Sequence, residues 1–77
     1  MSDGPRRTAV TGATGYVGAR LVQALELAAG VEHVLAIDVR PPAGDHGPKT
    51  TFLEQDVSLP FRRALAEHEI DTVVHLA

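Results

Sequence analysis

Three glycines at a spacing of three, Gly12, Gly15 and Gly18, separate two apolar runs in VTGATGYVGARLVQAL, residues 10–25. Glycine weakens both strands and helices, so three of them at one junction point to a demand of backbone geometry. On the N-terminal side, Thr8-Ala9-Val10-Thr11 is short, apolar and β-branched, as a buried parallel strand is. On the C-terminal side the period becomes helical. Val17, Leu21, Ala24, Leu25 and Ala28 fall on one helix face, and Gly30 follows as the expected C-cap. The junction is therefore a direct handover from strand to helix.

The same alternation runs through the rest of the chain. His33–Asp38 reads as a second buried strand that ends in an acid. Arg40 to Pro48 (RPPAGDHGP) is turn chemistry and reads as a loop. Thr50–Glu54 reads as a third strand. Ser58 is placed to cap a helix from Leu59 to about Glu69, with Pro60 in its first turn. Asp71–Leu76 reads as a fourth strand. The order β-α-β-β-α-β predicts an α/β fold of Rossmann type, a parallel sheet in the order 3-2-1-4 with one helix on each face. Residues 1–5 (MSDGP) read as a flexible tail, and 6–77 as the N-terminal part of an NAD(P)-binding Rossmann domain.

A helix that starts directly after a strand presents unpaired N–H groups and the positive end of its dipole, which suits a pyrophosphate. Gly12 is suited to the tight turn, Gly15 to close approach of the phosphates, and Gly18 to packing of the helix on the first strand. Asp38 lies twenty residues after Gly18, at the spacing of the acid that holds an adenosine ribose. A carboxylate there accepts both ribose hydroxyls of NAD and repels the 2′-phosphate of NADP. NAD is therefore the expected cofactor and NADP the less favoured one. Arg40, two residues on, reads as a solvated loop residue, with a grip on the 2′-phosphate of NADP as the alternative. The other phosphate cradle, GxxxxGK[ST], is missing, since the single lysine is Lys49.

Together these residues resemble the extended short-chain dehydrogenases/reductases, the NAD-dependent epimerase/dehydratase group. Thr11-Gly12-Ala13-Thr14-Gly15-Tyr16-Val17-Gly18 fits that group's TGxxGxxG, Asp56-Val57 follows the third strand, and Val74-His75-Leu76-Ala77 is similar to its HLAA. The resemblance implies that Gly12, Gly15, Tyr16 and Val17 line the pyrophosphate, the last two through backbone N–H groups, while Gly18 lets the helix pack. It assigns Asp38 to the ribose, Asp56 to the adenine amino group, Val57 to the adenine ring, and Leu76 and Ala77 to backbone contacts with the cofactor. It implies an oxidoreductase acting on a sugar nucleotide or similar hydroxyl substrate, with dimerisation in a full-length form.

The catalytic Tyr-x-x-x-Lys pair implied by the resemblance is not present in the 77 residues. Tyr16 has Arg20 four residues on, but it sits in the glycine turn, and an always-protonated arginine substitutes poorly for lysine. The expectation is a cofactor-binding portion without its catalytic half. The alternative is a non-catalytic dinucleotide-binding or redox-sensing module. Bulk properties narrow the other classes. Net charge is −3, which argues against a nucleic-acid partner, and no cysteine is available for a disulfide or a thiolate metal site. No apolar run approaches the ~20 residues of a membrane span. The chain reads as soluble and cytoplasmic. His33, His46, His68 and His75 lack metal-ligand spacing, and no metal is expected.

Overall fold

The computed structural model describes residues 6–42, 44, 47–56 and 60–76. Its elements are β1 (Arg7–Thr11), α1 (Tyr16–Leu27), β2 (His33–Asp38), β3 (Thr50–Glu54), α2 (Arg62–Glu67) and β4 (Thr72–His75). The four strands form one parallel sheet in the order β3-β2-β1-β4. This is the predicted topology.

The two central strands are buried on both faces, which is why their sequences are continuously apolar. Alternation along them divides the core in two. Val10, Val34 and Ala36 face α1 and pack with Ala13, Val22 and Val31, joined by Leu21, Leu25 and Phe52. Ala9, Leu35 and Ile37 face the other way and pack with Leu53, Phe61, Ala64, Leu65 and Ile70 around α2. The helices thus lie on opposite faces, as expected. The edge strands β3 and β4 have no buried residue: β4 alternates between half-buried and exposed, and β3 is half-buried at Thr50, Phe52 and Leu53.

The helices differ from the expectation in detail. The buried face of α1 is centred on Gly18 and Val22, while Val17 is 62% exposed and Ala24 is also exposed. Leu21, Leu25 and Ala28 keep the expected face, while the close seat at Gly18 leaves Val17 and Ala24 toward solvent. α1 ends at Leu27 with the extended Ala28 as its C-cap, so Gly30 is not the cap. Instead Lys49 Nζ donates to the Ala28 carbonyl at 2.8 Å, and Glu26 accepts from Lys49 N–H and Thr50 Oγ1. A cation brought from the start of β3 thus meets the negative end of α1. α2 begins at Arg62 after Phe61 and ends at Glu67, shorter than expected. Ser58 and Leu59, the expected cap and first residue, lie outside the described residues, as do the tail 1–5 and His46.

At the N-terminal end of the sheet, His33 Nε2 and His68 Nδ1 meet at 3.1 Å with their ring planes nearly parallel. Arg7 Nε donates to the His68 carbonyl at 2.7 Å and its guanidinium pairs with Glu32. A hydrogen bond between two imidazoles needs one bare nitrogen, so the two rings do not both carry charge while it persists. Burial, then the positive Arg7, then His68 lower the His33 pKa below 6.5, against a smaller opposing effect from the Lys49 backbone. The unfolded chain therefore binds this proton more readily than the folded one. Stability is fully present above pH 6.5 and falls as pH drops through the folded pKa. Urea unfolding between pH 7.5 and pH 5 is expected to show this loss, and His33→Gln to flatten it. An unchanged slope in the variant would assign the pH dependence to other groups.

Candidate functional site

The loop between β1 and α1 is built at the C-terminal end of the sheet. Gly12 has φ of 70°, a left-handed conformation that side chains disfavour, and so makes the turn. Ala13 N–H donates to the Ile37 carbonyl at 3.2 Å, which ties the turn to β2. Gly15 is the N-cap of α1, with no side chain capping the helix, and its carbonyl accepts the first helical bond from Ala19 at 2.8 Å. The N–H groups of Tyr16, Val17 and Gly18 belong to the first turn, which has no acceptors within the helix. Tyr16, Val17 and Gly15 are exposed there, whereas Gly18 is buried. A Cβ on Gly18 would overlap the Gly12 carbonyl oxygen and stand 2.9 Å from Ala13 Cα. Close packing of helix on turn is therefore the physical requirement at Gly18.

Asp38 ends β2 beside this loop. Its Oδ2 accepts from Thr14 N–H at 2.9 Å and from Thr14 Oγ1 at 2.8 Å, and its Oδ1 from Val39 N–H at 2.7 Å. Burial is the largest single influence on this carboxyl and opposes ionisation. The Thr14 N–H and hydroxyl and the Val39 and Arg40 N–H groups together outweigh it and lower the pKa below 3.8. Asp38 is therefore a carboxylate at neutral and mildly acid pH. Its contribution to stability is present above pH 3.8 and lost as pH falls through the folded value.

The end of β4 is fixed to the end of β1. Leu76 N–H donates to the Thr11 carbonyl at 3.2 Å and to Thr11 Oγ1 at 3.0 Å, while Thr11 Oγ1 also meets His75 Nδ1 at 2.8 Å. His75 is thus hydrogen-bonded although exposed. Gly12, Gly15, Tyr16, Val17, Gly18, Asp38 and Leu76 thus gather at the carboxyl ends of β1, β2 and β4, where the strand order reverses. Such a switch point is where open α/β sheets take their ligands. Asp56 follows β3 and is exposed. Val57 and Ala77 lie outside the described residues.

A cavity of about 430 Å³ lies beside the loop, walled by Thr14, Gln23, Glu26, Leu27 and Pro42 among others. It touches the glycine turn only through Ala13 and Thr14. Arg20 stacks over the Tyr16 ring at 4.8 Å from its centroid, one helical turn away. This pair is an exposed packing contact. Thr14 and Thr11 were not singled out from the sequence as site residues. A hydroxyl side chain inside a glycine turn that faces a strand-ending acid is the signal that points to Thr14.

The profile of the NAD dependent epimerase/dehydratase family matches residues 8–77. The chain belongs to this family. Solved structures agree. L-threonine dehydrogenase from Clostridium difficile superposes with a TM-score of 0.80 at 28% identity, over 95% of this chain and 24% of that one. Uronate dehydrogenase from Agrobacterium tumefaciens superposes with a TM-score of 0.65 at 29% identity, over 92% of this chain and 26% of that one. A mutant of that uronate dehydrogenase complexed with NAD gives a TM-score of 0.66 at 29% identity. The chain thus spans about a quarter of the length of these dehydrogenases. No curated protein matches it. No described helix is long and apolar enough to cross a membrane.

Proposed function

We propose that this chain is the NAD-binding portion of an oxidoreductase of the epimerase/dehydratase family, one that acts on a hydroxyl-bearing substrate. The observation that carries this reading is the ionised Asp38 held beside the Gly12–Gly18 turn at the switch point of the sheet. The first-turn N–H groups of α1 would receive the pyrophosphate, led by Gly15, Tyr16 and Val17. Asp38 would take the adenosine ribose, with Asp56 and Val57 at the adenine and Leu76 and Ala77 along the cofactor. NAD supplies the hydride-accepting ring when bound. The residues of this chain bind and orient it.

Sugar nucleotides are one substrate class the family reading allows. Threonine and uronate, the substrates named for the structural neighbours, are smaller and carry a hydroxyl and a carboxylate. The group common to all three is the hydroxyl, and oxidation, epimerisation and dehydration each begin from it. A non-catalytic redox-sensing module would use the same site for the same dinucleotide. Support for the enzymatic reading comes from the dehydrogenase neighbours.

Calorimetric titration with NAD and NADP tests the binding claim. A carboxylate at the ribose favours NAD by at least about tenfold, since a hydrogen bond to a charged group is worth roughly 1.5–3 kcal/mol. Equal affinity for the two, or tighter NADP, would remove Asp38 from the ribose. The reduction of NAD by the full-length protein with hydroxyl substrates separates the enzyme from the sensing module.

A further inference from the structure

The Asp38 carboxylate offers about four acceptor positions, two on each oxygen. Oδ2 has both filled by Thr14, through its N–H and its hydroxyl. Oδ1 accepts from Val39 N–H. The protein's own donors therefore fill three of the positions on the carboxylate that a ribose diol must reach, both of those on Oδ2 among them. Two of these donors are main-chain N–H groups, which withdraw only if the backbone itself moves. The third is the Thr14 hydroxyl, which leaves by rotation about a single bond. Thr14 is half-buried, so water can meet its hydroxyl after it turns away.

We propose that the Thr14 hydroxyl is a placeholder donor on Asp38, occupying the acceptor position a ribose hydroxyl takes and thereby setting the affinity for NAD. This rests on Asp38 as the ribose-binding carboxylate. The two main-chain donors keep the carboxylate oriented without the hydroxyl. Removing the hydroxyl therefore empties an acceptor position and leaves the site otherwise built. Thr14 acts through Asp38 and is a positioning residue for affinity.

The test compares the wild-type protein with Thr14→Val and Thr14→Ser. Affinities for NAD and NADP are measured by calorimetry, and the Asp38 carboxyl is titrated by carbon NMR without nucleotide. Thr14→Val is expected to bind NAD roughly three- to tenfold more tightly, part of what one hydrogen bond to a charged group carries. NADP affinity is expected to stay unchanged, Thr14→Ser to match wild type, and the Asp38 pKa to rise only in the valine variant. A merely structural role would leave the carboxyl titration in place and weaken both nucleotides alike. Unchanged or weaker NAD binding by folded Thr14→Val overturns the placeholder role alone, while the NAD site stands. Failure of the wild-type protein to bind NAD at millimolar concentration overturns both. If the valine variant does not fold, Thr14→Ala carries the same comparison.

Discussion

Replacing Gly18 by alanine is expected to lower the unfolding midpoint by at least ~12 °C, or to prevent folding. The added methyl would overlap the Gly12 carbonyl oxygen and crowd Ala13 Cα, and these are backbone atoms with no rotamer to change. Overpacking typically costs about 1–3 kcal/mol and more where nothing can yield. In a domain of this size each kcal/mol moves the midpoint by about 4–8 °C, so a cost of about 3 kcal/mol corresponds to at least ~12 °C. Gly30→Ala is the control. A Cβ there meets nothing within 4 Å, and the residue has no left-handed φ. Its expected effect lies between neutral and a gain of about 1 kcal/mol. Thermal unfolding followed by circular dichroism checks both variants. Equal midpoints for the two would mean that α1 does not sit on the glycine turn as described.

Asp38→Asn is the second large expected effect. The substitution keeps the shape of the side chain, removes its charge and replaces one acceptor oxygen by a donor. NAD affinity is expected to fall roughly tenfold to a hundredfold, the equivalent of 1.5–3 kcal/mol, from the lost charge-assisted bonds. NADP should lose much less, because the like-charge contact with its 2′-phosphate disappears at the same time. The ratio of the two affinities is the diagnostic quantity. If NAD and NADP weakened equally, the carboxylate would be acting on the loop and not on the ribose. Folded-state loss is separable by the unfolding midpoint. The amide oxygen still accepts one of the donors from Thr14 and Val39, so the loop keeps part of its anchorage.

Fold and glycine turn were legible because they rest on short-range rules. The continuous apolar runs of β1 and β2 could only be buried on both faces, and the handover at Gly12 could only be parallel β to helix. The strand order followed from handed crossovers. What was missed came from contacts distant in sequence. Spacing along α1 placed Val17 and Ala24 inside, but the seat of Gly18 on Gly12 turned them to solvent. Gly30 was expected to end α1 by its backbone freedom. The end is satisfied from elsewhere, by Lys49. The grip of Thr14 on Asp38 spans 24 residues of chain, and that of His75 on Thr11 spans 64. Local periodicity holds no record of such pairs. Within the candidate site, the positions of Gly12, Gly15, Gly18 and Asp38 could be read in advance. The hydrogen-bonded state of Asp38 could not, because it depends on how two loops meet.

The Asp38 effect and the proposed function rest on one claim, that NAD lies across the carboxyl ends of β1 and β2. The most direct measurement is an NMR titration of the amide-labelled protein with NAD. Saturable shifts centred on the amides of Gly12 to Gly18 and of Asp38 to Arg40 are the expected result. ADP-ribose, which keeps the pyrophosphate and adenosine, should reproduce most of them. The His33–His68 end of the sheet should stay still. Saturable binding with shifts confined to other residues, or no saturation at millimolar NAD, would contradict that claim.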